Sequence, residues 1–181
     1  IHRHSEIVPL IVPEVNPEHL DLLETQNEFG SGALVSCSNC MVVPLAVSLA
    51  PIVRKFPVNS ISISTEQSVS GAGRRVLERY REGVMPETEI IGESQSIESE
   101  LRRILSGYDS SESCSANLKI NSQCKRFPRE FGHSATVTVD LGRDVSAHEV
   151  IEVWSDFQSL VQHLDLPSGS KKPIIFASET G

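Results

Sequence analysis

Three stretches of this chain alternate apolar and polar residues, and segments of helical periodicity lie between and around them. SISIST (60–65), NLKINSQC (117–124) and HSATVTVDL (133–141) carry the alternation, which is how a strand with one buried face reads. IESELRRILSG (97–107) instead places Ile97, Leu101, Ile104 and Leu105 on one helical face, with Gly107 past its end. RRVLERYREGV (74–84) reads as another helix. So does SAHEVIEVWSDFQSLVQHL (146–164), capped by Ser146, with Val150, Ile151, Trp154, Phe157 and Val161 on its apolar face. The two periods in this order predict an α/β chain of the α+β type. A mixed sheet is covered by helices on one face, with at least one antiparallel pair late in the chain.

The flanking segments are less regular. IVPLIVPEV (7–15) is β-rich but holds two prolines. Proline gives a ladder no donor, so the run is an edge strand or a strand that ends in a turn. NPEHLDLLE (16–24) reads as a helix start, with Asn16 as the cap and Pro17 at the first position. GALVSCSNC (32–40) is a second β-like run ending in small polar residues, and Met41 to Val53 predict a buried helix despite Pro44. TEIIGES (88–94) is read as a short extended piece, YDSSESCSAN (108–117) as a loop, and PIIFA (173–177) as a last strand. There is no internal repeat, and no G-x-G-x-x-G follows a strand near the N-terminus. A complete nicotinamide-binding unit is therefore expected to be missing from these residues.

Composition narrows the partners. The 181 residues are 39% apolar but only 5% aromatic, which calls for an aliphatic core. A formal net charge of −8 argues against nucleic acid and anionic membranes, both of which need basic patches. No apolar run has the length of a membrane span, and IHRHSEIVPL lacks the features of a secretory signal. Four cysteines in a chain this long do not form a disulfide framework. The expected setting is cytoplasmic.

Three segments can carry chemistry. In SCSNC (36–40), Cys40 falls where a β-run gives way to a helix, and a thiolate there would gain from helix N-terminal amides. Cys37 and Cys40 also read as small buried residues, or as a C-x-x-C redox pair without the usual Trp and Gly-Pro. Cys114 and Cys124 are too far apart to complete a zinc site, so no metal is expected. STEQSVSGAGRR (64–75) has glycines that allow a tight turn or close backbone approach to a ligand. CKRFPREFGH (124–133) sets an Arg, a fork for a carboxylate, seven residues before a His that titrates near neutrality.

Taken together, VPLIVPEVNPEHL, SCSNCMVVPLAVSLAPI, STEQSVSGAG and CKRFPREFGH resemble the aspartate-semialdehyde dehydrogenases, in the same order and along nearly the whole chain. The resemblance implies a fold like the second domain of glyceraldehyde-3-phosphate-dehydrogenase-like enzymes. It makes Cys40 the nucleophile, His133 the acid–base group and Gln67 the residue that orients the acyl group. Arg126 would bind the substrate carboxylate, Glu93 the substrate amino group and Asn39 the phosphate, while Ser70, Gly71 and Gly73 would approach the nicotinamide of NADP. The implied reaction is reduction of aspartyl phosphate to aspartate semialdehyde through a Cys thioester, by a homodimer with small-molecule substrate and phosphate as its ligands.

The resemblance further implies that residues 1–40 end a nucleotide-binding domain and that 41–181 form the catalytic and dimerisation domain without its C-terminal return segment. The chain alone is then expected to be inactive. Two positions depart from the family pattern: Met41 stands where the family has Ser or Thr, and Ser96 where it has a phosphate-binding Lys. Two other readings compete. One is an N-acetyl-glutamyl-phosphate reductase, whose nucleophile segment reads Asn-Pro-Gly-Cys. The other is a non-catalytic paralogue kept for dimerisation.

Overall fold

A computed structural model describes residues 2–106, 118–164 and 166–177. The expected loop at 108–117, with Cys114, and Gly107 lie outside the described residues. Strand β1 (Leu10–Ile11) pairs in parallel with β2 (Ser36–Cys37), and a 3-10 helix over Pro17–Thr25 connects them. Helix α1 (Val42–Lys55) follows, then β3 (Ser60–Gln67), α2 (Arg74–Arg81), α3 (Glu93–Leu105), β4 (Lys119–Arg126), β5 (Ser134–Asp140), α4 (Ala147–Asp156) and a single turn, α5 (Leu160–His163).

The main sheet has the order β4-β3-β5. Strand β3 is parallel to β4, with Ile61 opposite Ile120 and Gln67 opposite Arg126, and antiparallel to β5, with Ile61 opposite Val139. The expected late antiparallel pair is therefore β3 with β5, since β3 separates the two late strands. Alternation decides which face is covered. Ile61, Ile63, Thr65 and Gln67 are buried, while Ser62, Ser64 and Glu66 are exposed. The buried rows pack with Val42, Leu45, Ala46 and Leu49 of α1 and with Ile97, Leu101 and Ile104 of α3. This core is aliphatic as expected, and Met41 belongs to it at 2% exposure. At position 41 the departure from the family pattern thus serves packing.

Several sequence expectations are corrected. Asn16 does not cap the helix after it: its Oδ1 accepts from Val12 N at 2.8 Å and its Nδ2 donates to Leu10 O at 2.8 Å, so it ties the turn after β1. The β-run before Cys40 is ordered as a strand only at Ser36–Cys37. The segment 146–164 is two helices. Ser146 and Glu149 form the capping box of the first, as expected of Ser146, but Ser159 and Gln162 form a second one that restarts the chain after Phe157. PIIFA is not a strand, because no described strand pairs with it; Ile175 is 83% exposed. TEIIGES contributes one antiparallel bridge, Glu89 with Lys125, before α3 begins.

Candidate active site

Connectivity alone gathers five chain segments at one end of the sheet. Helix α1 leads into β3 and α3 precedes β4, so both helix N-termini return to where these parallel strands finish. Strand β5 runs antiparallel to β3 and begins at that same end. Cys40, Glu93, Gln67, Arg126 and His133 occupy these five termini. Carboxyl ends of parallel strands are the usual place for a ligand in α/β sheets, and two helix N-termini add a positive field there.

The segment that carries Cys40 is held by hydrogen bonds. Asn39 Oδ1 accepts from Met41 N at 2.8 Å, which fixes the turn into α1. Its Nδ2 donates to Glu93 Oε1 at 2.9 Å, and Gln67 Nε2 donates to that same oxygen at 2.7 Å. One carboxylate oxygen thus gathers amides from the start of α1 and the end of β3. Beside it, Ser68 links the other two residues. Its N–H and Oγ lie 3.0 and 3.1 Å from His133 Nδ1, and its carbonyl accepts from Arg126 Nη1 at 3.3 Å. Among the described residues Arg126 has no carboxylate partner within ion-pair distance. It lines a cavity of about 350 Å³ with Ala72, Val76 and Arg79.

The thiol and the imidazole are not hydrogen-bonded to each other among the described residues, but both feel Glu93. Partial burial and then the Glu93 carboxylate push the Cys40 thiol above its ordinary value; the N–H groups of Met41 and Cys40 and the Arg3 guanidinium pull the other way. The amide stabilisation expected from the sequence is present and is outweighed. His133 is pushed down, by burial first and by the Arg129 cation second. Glu93 opposes this, and Arg126 adds to it.

The glycines divide in role. A Cβ at Gly71 would come within 3.2 Å of His133 Cε1, so the bareness of Gly71 makes room for the imidazole. At Gly73, with φ +91°, a Cβ would meet nothing within 4 Å, and the loop is open to a ligand there.

A family model described as the semialdehyde dehydrogenase dimerisation domain matches residues 49–175. The chain belongs to this semialdehyde dehydrogenase family. Aspartate-semialdehyde dehydrogenase of Methanothermobacter thermautotrophicus is 33% identical across 98% of the chain and 52% of its own length. The enzyme of the same name from Archaeoglobus fulgidus is 35% identical across 98% and 51%. The crystal structure of aspartate semialdehyde dehydrogenase with NADP from Candida albicans superposes with a TM-score of 0.75 at 25% identity, over 94% of this chain and 51% of that one. The chain spans about half the length of the curated relatives it matches.

In this semialdehyde dehydrogenase domain the expected residues Asn39, Cys40, Gln67, Glu93, Arg126 and His133 converge, whereas Ser96 lies inside α3, three residues past Glu93. Sequence reasoning missed three others. Glu100 is 1% exposed, and its Oε2 accepts from Asn39 N at 2.6 Å. An acid three residues after Ile97 and one before Leu101 sits on the apolar stripe, and that was a readable signal. Arg3 lies 3.6 Å from Glu100 Oε1 and bears on Cys40; a lone Arg in an irregular segment gives no such signal. Ser68 is wholly buried. Continuing the β3 alternation past Gln67 would have put Ser68 on the exposed side with Ser64 and Glu66, so no sequence signal pointed to it.

Proposed function

We propose that this chain is the catalytic and dimerisation half of an NADP-dependent aspartate-semialdehyde dehydrogenase, with residues 1–40 closing its cofactor domain. The observation that carries the reading is the meeting of the Asn39 and Gln67 amides on one oxygen of Glu93, beside Cys40. Alongside stands Arg126, with no carboxylate partner among the described residues, tied through Ser68 to His133. The parallel β1–β2 pair with its helical crossover is the kind of unit an open nucleotide-binding sheet ends on.

Cys40 Sγ, once ionised, attacks the acyl carbon of aspartyl phosphate. The C–S bond forms, the bond from that carbon to the phosphate oxygen breaks, and phosphate leaves. Arg3 and the N-terminus of α1 supply positive charge for it, with the Asn39 amide at hand. Arg126 clamps the substrate α-carboxylate through its fork, and Glu93 pairs with the α-ammonium. Reduced NADP, when bound, supplies the hydride. Cys40 then departs as thiolate while the aldehyde forms, and His133 carries the proton between sulfur and the substrate oxygen. Of the loop residues assigned to the cofactor, Gly73 is open for close approach, and Gly71 is occupied by His133. The subunits pair as a homodimer.

The test follows phosphate-dependent reduction of NADP by the full-length protein with aspartate semialdehyde. Cys40→Ala should abolish turnover, and His133→Ala should lower kcat by about 10²–10⁴-fold. Turnover that survives Cys40→Ala would remove the thioester and the reading with it.

A further inference from the structure

His133 meets Ser68 twice through one ring nitrogen. Its Nδ1 lies 3.0 Å from the Ser68 amide nitrogen and 3.1 Å from Ser68 Oγ. The two partners make opposite demands. An amide N–H only donates, so it keeps Nδ1 bare and places the neutral ring's hydrogen on Nε2. A hydroxyl donates or accepts, and Ser68 Oγ has Ser70 Oγ at 2.9 Å to receive its own hydrogen. Ser68 is fully buried, so bulk water does not compete for that hydroxyl. The Nε2 edge of the ring is turned toward the Gly71 loop, 3.4 Å from where a Cβ would stand.

We propose that Ser68, backed by Ser70, is a positioning residue that sets the tautomer of His133 and so decides whether the imidazole serves the site as donor or as base. With the amide bond in force, Nε2 holds hydrogen and only donates. For Nε2 to take the Cys40 proton, the ring's own hydrogen must sit on Nδ1. Of the two groups on that nitrogen, only Ser68 Oγ can then accept it. The Cys40 S–H bond breaks as the Nε2–H bond forms, leaving thiolate and imidazolium. The Nε2 proton later passes to the substrate oxygen and returns to Nε2 as the C–S bond breaks and the aldehyde C=O forms, while the Nδ1–H stays with Ser68 Oγ throughout. The charges that bear on the ring are Arg129 from its own loop, Arg126 from the end of β4 and Glu93 from α3. Removing the hydroxyl leaves all three in place. This inference rests on the reading of His133 as the proton carrier.

Nitrogen NMR of the imidazole in the full-length protein reads tautomer and titration midpoint directly, without turnover. In Ser68→Ala only the amide faces Nδ1. The neutral ring should become wholly the Nε2–H form, and the midpoint should fall by about one to two pH units, the scale of one hydrogen bond to a charged group. Ser70→Ala should lower the midpoint less, and it decides the matter alone if Ser68→Ala does not fold. An unmoved midpoint, or a wild-type neutral ring that is already wholly Nε2–H, would overturn the assignment. Alkylation of Cys40 by iodoacetamide near neutral pH separates the two claims. If the midpoint falls while alkylation is unchanged, the tautomer switch stands and the role of His133 as base for the thiol is lost.

Discussion

At Cys40 the surroundings keep the proton on sulfur. Burial and the Glu93 carboxylate outweigh two amides and Arg3, so the free protein holds a thiol at neutral pH. The sign of the Glu93 effect gives a direct check. A negative charge beside sulfur disfavours thiolate, so Glu93→Gln should lower the Cys40 midpoint and speed its alkylation at a fixed pH near 8. Slower or unchanged alkylation would show that Glu93 does not act on the thiol. A substrate ammonium paired with Glu93 would cancel the same charge, and the nucleophile would then ionise as its substrate arrives. Gly71 poses a steric question. An added methyl would crowd His133 Cε1 at 3.2 Å, a side chain that can give by a few tenths of an ångström. Gly71→Ala is therefore expected to leave folding nearly intact and to lower kcat several-fold to about tenfold. A thermal unfolding curve together with initial rates checks both halves, and a fully active Gly71→Ala protein would mean that the imidazole need not stand where it does.

Helix α3 holds Asn39, next to the proposed nucleophile, from two turns at once. Glu93 at its start holds the Asn39 side chain, and Glu100 holds the Asn39 backbone N–H from inside the apolar stripe of Ile97, Leu101 and Ile104. Replacing that carboxylate by Leu would suit the stripe but leave a buried N–H without a partner, at a cost of about 1–3 kcal/mol. Urea unfolding of Glu100→Leu should show this loss, and Glu100→Gln, which keeps an acceptor oxygen, should show less of it. A Leu variant as stable as the parent would mean that Asn39 finds another acceptor. Elements of this kind were legible where a pattern repeats: β3, β4, β5 and α3 follow from alternation or an apolar face, because burial acts on every period, while α2 buries no residue and shows only as a helical stretch. Elements that depend on a partner were not. PIIFA has β composition but no described strand beside it, and Asn16 has the chemistry of a cap but turns back to the β1 turn instead. The site divides along the same line. Cys40, Gln67, Arg126 and His133 carry residue chemistry that stands out in a sequence, Glu100 shows only as an acid on an apolar stripe, and Ser68 gains its role only from what folding places against it.

The whole molecule presents one sheet face that no described helix covers, and its rows are ordered by charge. Glu66, Lys125 and Ser134 form the row at the site end, and Ser60, Lys119 and Asp140 the row at the other. Between them lie Ser62, Asn121 and Thr138, then Ser64, Gln123 and Thr136, all exposed and all uncharged. A face meant only for water has no need to keep ions out of its centre, whereas a protein interface is depleted of charge at its centre and polar at its rim. The proposed dimer therefore pairs these faces, and the proposed catalytic groups at the strand ends stay clear of the contact. Ser64 is the residue that tests this, since it lies on the central strand in an uncharged row. If the two faces meet about a two-fold axis, Ser64→Arg sets two like charges into one contact, which costs several kcal/mol. Its side chain points away from the core, so the fold itself should survive. Sedimentation of the full-length Ser64→Arg protein should then show folded monomer where the parent sediments as dimer. A variant that remains dimeric would assign the subunit contact to another surface and leave the uncharged rows without an interface to explain them.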